Sequence, residues 1–130
     1  SVYWPVRRFC RETLASFGVT TTFYDPTLGR EIEQLFTPTT RVLWLEAPGS
    51  HTFEMQDVPL LASTARERGA ISAIDNTWAT PLYFQPLKHG VDVSVHAATK
   101  YIGGHSDLLM GTVTSNERAW PALRQALHNY

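Results

Sequence analysis

Three short apolar runs, separated by longer segments with helical spacing or turn residues, constrain the fold of this chain more than any other feature. The runs occupy residues 42–45, 70–74 and 91–95. Short continuous apolar runs between turn residues are typical of strands that are buried on both faces. Strands that alternate with helices build a parallel sheet, because each crossover has to return the chain to the same end of the sheet. The sequence therefore predicts an α/β domain with a mainly parallel sheet between layers of helices.

The segments around these runs supply the helices and two further strands. Apolar residues recur at helical spacing from Pro5 to Phe17, and Gly18 provides a stop. Asp57 precedes another helical pattern, which closes at Gly69. The remaining predictions are helices over about residues 29–36 and over residues 120–128, a helical turn near residues 87–90, and strands at residues 19–24 and 108–114.

The composition limits the classes of protein to which the chain can belong. With 130 residues, 43% of them hydrophobic, the chain is long enough for one domain with its own core. Eleven basic and twelve acidic residues give a net charge of −1, so the chain lacks the excess of positive charge that would attract nucleic acid or an acidic membrane. No apolar run approaches the roughly 18–20 residues of a membrane span, and Cys10 is the single cysteine. We therefore expect a cytoplasmic protein with no nucleic-acid or membrane partner and no multi-cysteine metal site.

Polar residues follow the three apolar runs. The first run is followed by Glu46 and the second by Asp75, and Lys100 comes a few residues after the third. Ligands of parallel sheets bind beyond the carboxyl ends of the strands. Lys100 precedes a Gly-Gly pair at residues 103–104, which lets a ligand approach the backbone closely, whereas Lys88 fits a solvated charge at a helix end. An amine confined in such a site becomes nucleophilic, although an ordinary exposed loop lysine stays an alternative.

Asp75 and Lys100 together indicate pyridoxal phosphate. Asp75 precedes Lys100 by 25 residues, which suits one strand–crossover–strand unit. A carboxylate at that place can accept a charge-assisted hydrogen bond from a protonated ring nitrogen. Pyridoxal phosphate needs a lysine for its aldehyde and an acidic partner for its pyridinium nitrogen. Taken alone, Asp75 could also be a turn or N-cap residue.

Two interpretations from other classes stay open. His96, His105 and Asp107 offer three metal ligands on one loop, which would make the chain a metal-binding α/β module. A non-catalytic scaffold would keep the fold without the chemistry. The sequence has no GxxxxGK[ST] loop, no GxGxxG fingerprint and no GxSxG elbow, so nucleotide-binding and serine-hydrolase functions lack their motifs.

Two stretches carry a resemblance to a known family. Residues 73–81 (AIDNTWATP) and 95–107 (VHAATKYIGGHSD) resemble the signature of the Cys/Met-metabolism family of pyridoxal-phosphate enzymes, and the similarity runs along essentially all of the chain. The resemblance implies fold type I, the aspartate-aminotransferase-like architecture. The chain starts at Ser1 and stops at Tyr130 inside a helical pattern, so we expect a part of a longer protein. Because the enzymes of this family are much longer, the resemblance implies that residues 1–130 are the middle of the large cofactor-binding domain. An N-terminal segment and a C-terminal domain would lie outside it.

The resemblance also implies roles for single positions. Lys100 matches the lysine that holds pyridoxal 5'-phosphate covalently and then moves protons, and Asp75 matches the partner of the pyridine nitrogen. Tyr3 matches the tyrosine that stacks on the cofactor ring, and Thr99 matches a hydroxyl that binds the phosphate. Ser50 stands where many relatives have an asparagine that contacts the ring hydroxyl, in an EAPGSH string similar to the β-lyase branch. These five residues are the predicted cofactor-binding site, and Lys100 and Tyr3 are the predicted catalytic residues.

The reaction that the resemblance implies is the α,β-elimination of L-cystathionine to homocysteine, pyruvate and ammonia by a carbon–sulfur lyase. The γ-lyase and γ-synthase reactions, or elimination from other cysteine S-conjugates, are alternatives within the family. The resemblance further implies a homo-oligomer, a dimer of dimers, that acts on a small sulfur amino acid in methionine biosynthesis. Ala97, which stands where many relatives have serine, and Ser50 are the departures that would support a non-catalytic relative.

Overall fold

A four-stranded sheet forms the centre of the computed structural model, which describes residues 2–129. The strands are β1 (Val42–Glu46), β2 (Ile71–Asp75), β3 (Val93–His96) and β4 (Thr112–Ser115), and they lie side by side in that order. β1, β2 and β3 are parallel, whereas β4 pairs with β3 in the antiparallel direction. The predicted mainly parallel sheet is therefore confirmed.

Helical segments lie before, between and after the strands. They are α1 (Trp4–Phe9), which continues as a π-helical turn over Cys10–Leu14, then α2 (Val58–Glu67), the single turn α3 (Thr80–Tyr83), α4 (Trp120–Asn129), and 3-10 helices at Arg30–Leu35 and Pro86–His89. α2 begins where predicted because the Asp57 carboxylate accepts the Leu60 N–H at 3.1 Å. It ends at Glu67, two residues before Gly69, whose φ of 75° suits a residue without a side chain. Within residues 2–129 no helix has the length and hydropathy of a membrane span.

Helices cover both faces of the sheet. On one face Leu45 and Ile74 pack with Leu61 of α2 and Ile32 of the first 3-10 helix, and all four are almost fully buried. On the opposite face a smaller cluster joins Ala73 and Val93 to Ala119, with Leu123 of α4 packed against it. Adjacent residues of β2, Ala73 and Ile74, belong to different clusters because side chains alternate between the faces of a strand. The predicted layering of helices around the sheet is confirmed.

The prediction of a strand over residues 19–24 is wrong. That segment has no regular secondary structure, although its β-branched and aromatic residues suit an extended chain. A strand needs a partner for its backbone groups, and in the described part of the chain the edge strand β1 pairs only with β2. A side chain tethers the segment instead, since the Tyr24 hydroxyl donates a hydrogen bond to the Trp44 carbonyl at 3.1 Å.

Three other predictions have the right place in the chain but the wrong type or bounds. The helix predicted at residues 29–36 is a 3-10 helix over Arg30–Leu35, β3 begins at residue 93 instead of 91, and β4 begins at residue 112 instead of 108. β4 starts late because its partner ends at His96, which lies opposite Thr112. Ser1 and Tyr130, the two ends of the chain on which the prediction of a longer protein was based, lie outside the described residues.

A buried carboxylate ties the amino ends of the parallel strands together. Asp92 directly precedes β3 and is fully buried. Its Oδ2 accepts hydrogen bonds from the Ser72 N–H at 3.0 Å and the Arg118 guanidinium at 2.6 Å, and its Oδ1 accepts one from the Asn116 amide at 2.9 Å. Burial by itself would raise the pKa of Asp92, but these hydrogen bonds and the charge of Arg118 outweigh it and hold the pKa below its usual range.

Candidate active site

The carboxyl ends of the parallel strands bring the predicted site residues to one edge of the sheet. Glu46 of β1 lies in register with Asp75 of β2, and Asp75 lies in register with Val95 of β3. The chain then leaves β3 and forms a turn over residues 98–103, in which Lys100 lies. The strand ends therefore place Glu46, Asp75 and the turn of Lys100 next to one another, as the sequence predicts.

Asp75 is held in one orientation by Thr77. Asp75 Oδ1 accepts two hydrogen bonds from Thr77, one from the backbone N–H at 2.9 Å and one from the hydroxyl at 2.5 Å. The same hydroxyl accepts the Ala97 N–H at 2.8 Å. A continuous chain of hydrogen bonds thus runs from Ala97, at the start of the Lys100 turn, to the Asp75 carboxylate. It leaves Asp75 Oδ2 without a hydrogen bond to the described residues.

Thr77 is the residue that sequence reasoning missed. Its role depends on the Ala97 N–H, which lies on the neighbouring strand end 20 residues away. The available signal was the Asp-x-Thr spacing, in which a hydroxyl can reach back to the carboxylate two residues earlier. This spacing alone predicts a local turn, and the contact across the strands shows that the turn also connects the two halves of the site.

Lys100 lies exposed in a turn that needs small residues. Its N–H donates to the Ala97 carbonyl at 2.9 Å, and its own carbonyl accepts the Gly104 N–H at 2.8 Å. Gly104 has a φ of 76°. A side chain at Gly103 would come within 3.1 Å of Leu108 and 3.3 Å of the Ala98 carbonyl. The two glycines therefore let the turn close tightly after Lys100.

Tyr3 reaches the same edge through Glu46. The Tyr3 N–H donates to Glu46 Oε2 at 2.9 Å, and about half of Tyr3 is exposed, at 48%. Burial raises the pKa of Glu46, and the neighbouring charge of Asp75 raises it further, while the hydrogen bond from Tyr3 acts in the opposite direction. Burial and Asp75 thus disfavour the charged form of Glu46, while its carboxylate oxygen accepts the hydrogen bond that holds the backbone of Tyr3.

Ser50 and Thr99 are less directly connected to the other site residues. Ser50 lies in the turn after β1, where its backbone N–H acts to lower the pKa of Glu46. The Thr99 hydroxyl is engaged with the backbone of Met110, donating to its carbonyl at 3.1 Å and accepting its N–H at 2.8 Å. Their contacts with a cofactor stay predictions.

The metal-binding interpretation gains no support from the described residues. His96 is buried, whereas His105 and Asp107 are exposed. His105 Nδ1 lies 3.0 Å from the Gly103 carbonyl. Across residues 2–129 no three histidine, cysteine or acidic side chains are grouped closely enough to hold a metal ion.

An exposed group of aromatic rings adjoins the strand ends. Trp78 lies between Phe53 and Tyr101, with ring centroids separated by 5.6 Å and 6.5 Å. All three side chains are more than half exposed. They come from three separate turns, after β1, β2 and β3, so that only the assembled sheet brings them together.

The residues at this edge fit pyridoxal phosphate. Asp75 Oδ2 is available to a protonated ring nitrogen, the ring of Tyr3 offers an aromatic face, and the Lys100 amine is exposed. These are the three groups that the ring nitrogen, the ring and the aldehyde of the cofactor require.

Comparisons with known proteins agree with this chemistry. The model of the family described as Cys/Met metabolism PLP-dependent enzyme matches residues 1–130. Cystathionine beta-lyase MetC of Escherichia coli is 44% identical over 127 residues, which cover 96% of this chain and 32% of that protein. An L-alanine/L-glutamate racemase of Wolbachia pipientis is 41% identical over 128 residues, covering 98% of this chain and 31% of that protein.

A solved structure shows the same fold. The crystal structure of cystathionine gamma-lyase from Lactobacillus plantarum complexed with L-serine matches with a TM-score of 0.88 and 36% identity, covering 95% of this chain and 32% of that one. The chain thus spans about a third of the length of the relatives that it matches. The predicted fold type I architecture is confirmed.

Proposed function

The chain belongs to the Cys/Met metabolism family of PLP-dependent enzymes, and we propose that it supplies the cofactor-binding centre of a carbon–sulfur lyase that performs α,β-elimination on L-cystathionine. The observation that carries the proposal is the hydrogen-bond chain from the Lys100 turn to the Asp75 carboxylate. It orients the Asp75 carboxylate for the ring nitrogen. It also connects that carboxylate to the start of the turn that carries Lys100.

Each residue has a distinct task in this proposal. When bound, pyridoxal phosphate supplies an electron sink for the bond that breaks at the substrate's Cα. Asp75 accepts the N–H of the pyridine ring through Oδ2, and Tyr3 covers one face of that ring. Lys100 would hold the aldehyde of the cofactor through its amine, and its free amine would remove the Cα proton and then give that proton to the leaving sulfur. Thr99 binds the phosphate and Ser50 the ring hydroxyl.

Two observations support elimination at Cβ. The Escherichia coli relative named a cystathionine beta-lyase is 44% identical, whereas the structurally similar Lactobacillus gamma-lyase is 36% identical. Ser50 also stands where many γ-lyases and γ-synthases carry an asparagine. The Wolbachia relative named a racemase fits the same centre, because racemisation and elimination both begin with removal of the Cα proton.

The assembly of the complete protein belongs to the same proposal. We place residues 1–130 within the large domain of a longer cytoplasmic chain that forms a dimer of dimers. Large apolar side chains support this placement, since Leu109 is 94% exposed and Tyr83 82% exposed, and such residues normally pack against further protein. Sedimentation analysis of the complete protein is expected to give a tetramer, and a monomer would contradict this part of the proposal.

Mapping the cofactor attachment tests the proposed function directly. The complete protein is loaded with pyridoxal phosphate, reduced with borohydride and digested, and the labelled peptide is identified by mass spectrometry. The label is expected on Lys100, and a Lys88→Ala variant, which alters the only other lysine of this chain, is the matched control. A folded protein that takes no label at Lys100 would refute the proposal and favour a non-catalytic relative.

Asp75→Ala is expected to leave a weakly loaded and slow enzyme. Removal of a charge-assisted hydrogen bond from the ring nitrogen weakens cofactor binding about 10–100-fold, and loss of the charge that supports the electron sink lowers kcat by about 10²–10³-fold. Cofactor titration followed by visible absorbance and steady-state release of pyruvate measure the two effects. Normal activity of this variant would refute the role of Asp75.

Thr77→Val is expected to loosen the cofactor without removing the carboxylate. Valine keeps the shape of threonine, but it removes the hydroxyl that donates to Asp75 and accepts from Ala97. The loss of about 1 kcal/mol in orientation weakens cofactor binding about fivefold. Thr77→Ser keeps the hydroxyl and is the matched control. Equal cofactor affinity of the valine and serine variants in an absorbance titration would show that the hydroxyl does not position Asp75.

A further inference from the structure

Glu46 connects three segments of the candidate site. It is the last residue of β1, and its Oε2 accepts the Tyr3 N–H across a separation of 43 residues. The backbone N–H of Ser50 acts to lower the pKa of Glu46, and Glu46 lies in register with Asp75. The segment before α1, the turn after β1 and the end of β2 therefore meet at this one side chain.

The hydrogen bond matters because packing does little to fix this end of the chain. No residue of α1 is buried, and Trp4 and Phe9 are 61% and 51% exposed. No side chain caps the start of α1 either. The Tyr3 carbonyl accepts the N–H groups of Val6 and Arg7, so any force that fixes the backbone of Tyr3 also fixes the first turn of α1.

We propose that Glu46 is a positioning residue, which holds the Tyr3 ring and the Ser50 turn in place relative to Asp75. The proposal deepens the proposed function and rests on it, since it assigns Tyr3 to the face of the cofactor ring. Glu46 itself need not touch the cofactor. It acts by fixing the backbone from which the Tyr3 ring projects.

The two neighbouring carboxylates are divided between different tasks. Asp75 is oriented by the two hydrogen bonds from Thr77, which leave its Oδ2 available to a ligand. Glu46 accepts a hydrogen bond from the backbone N–H of Tyr3, and a neutral amide oxygen can accept the same hydrogen bond. Since burial and the charge of Asp75 disfavour the charged form of Glu46, glutamine at this position should position Tyr3 as well as glutamate does.

The test compares Glu46→Leu, which removes the acceptor, with Glu46→Gln, which keeps it, in the complete protein. Glu67→Leu, at the exposed end of α2, is the matched control. Hydrogen exchange at the Tyr3 amide, resolved by residue and measured without cofactor, reports on the hydrogen bond. The circular dichroism of bound pyridoxal phosphate reports on the placement of the Tyr3 ring.

Glu46→Leu is expected to speed exchange at Tyr3 about tenfold or more and to weaken the dichroism of the bound cofactor. Glu46→Gln and Glu67→Leu should resemble the unmodified protein in both measurements. Unchanged exchange at Tyr3 in Glu46→Leu would overturn the inference. Faster exchange with an unchanged cofactor signal would overturn the link to the site.

Two further measurements give a clear result where the variants alone would not. If Glu46→Leu does not fold, the exchange rates of two amides in the unmodified protein test the inference. The Tyr3 amide should exchange about tenfold more slowly than the Trp4 amide, which at the helix start has no hydrogen-bond partner among the described residues. Equal rates would overturn the inference. Absence of the borohydride label on Lys100 would refute the proposed function alone, since exchange at Tyr3 would still decide the role of Glu46.

Discussion

Turnover is expected to disappear when Lys100 is replaced by alanine in the complete protein. The amine of Lys100 has two tasks in the proposed reaction, because it binds the cofactor aldehyde and then moves the Cα proton. Neither task has a substitute at this edge, since Lys88 is the only other lysine of the chain and lies in the 3-10 helix before β3. Loss of a positioned acid–base group alone lowers kcat by up to about 10⁴-fold.

Lys100→Arg and Lys88→Ala are the controls for this prediction. Arginine keeps the positive charge but cannot lose its proton at neutral pH, so Lys100→Arg should be as inactive as Lys100→Ala. Lys88→Ala should retain normal turnover. Because Lys100 is exposed, the melting temperature of each cofactor-free variant should stay close to that of the unmodified protein. Measurable steady-state release of pyruvate by a folded, cofactor-loaded Lys100→Ala variant would contradict the role of this lysine.

The sequence predicts strands well where burial determines them. Residues 42–45 and 71–74 lie in β1 and β2, as predicted, because short and largely apolar segments between turn residues are well suited to the inside of a sheet. Residues 19–24 have the composition of a strand, but composition does not supply a partner, and the segment stays unpaired. The late start of β4 likewise depends on where β3 ends, which the residues of β4 themselves do not determine.

The same distinction applies to the site. Asp75 and Lys100 can be found from the sequence because parallel strands end at one edge and the polar residues there are few. Glu46 is found in the same way, but Thr77 is not. The hydrogen bonds of these two residues join positions 20 and 43 residues apart, and they follow from strand register and from the docking of α1. Sequence reasoning therefore locates the polar residues at the strand ends but not the contacts that hold the site in place.

The largest expected effect on stability comes from the ion pair between the buried Asp92 and the partly exposed Arg118, at the opposite edge of the sheet. Arg118→Met removes the guanidinium that donates to Asp92 at 2.6 Å and to the Ala70 carbonyl at 3.1 Å. Asp92 is then a buried carboxylate whose nearest remaining cation is Arg66 at 3.4 Å, and that side chain is 54% exposed. Because Arg118 is partly exposed and Asp92 keeps the hydrogen bonds from Ser72 and Asn116, the free energy of unfolding is expected to fall by about 1–3 kcal/mol, less than for a fully buried pair. Urea denaturation at pH 7 measures the loss.

Arg124→Met, at an exposed position of α4, is the matched control, and it should change the free energy of unfolding little. A loss under about 1 kcal/mol for Arg118→Met would contradict the prediction.

The pH dependence of stability separates the charge of Asp92 from its hydrogen bonds. Because the pKa of Asp92 is lower in the folded protein than in the unfolded chain, its contribution to stability is present above the unfolded pKa, about 3.9. It is lost as the pH falls through the folded pKa, since both states are then protonated. Asp92→Asn keeps the shape and one acceptor oxygen but has no charge to titrate. The difference in unfolding free energy between the unmodified protein and Asp92→Asn should therefore be largest near neutral pH and shrink below about pH 4. A difference that stays constant from pH 7 to about pH 3 would show that hydrogen bonding, and not the charge, stabilises this edge of the sheet.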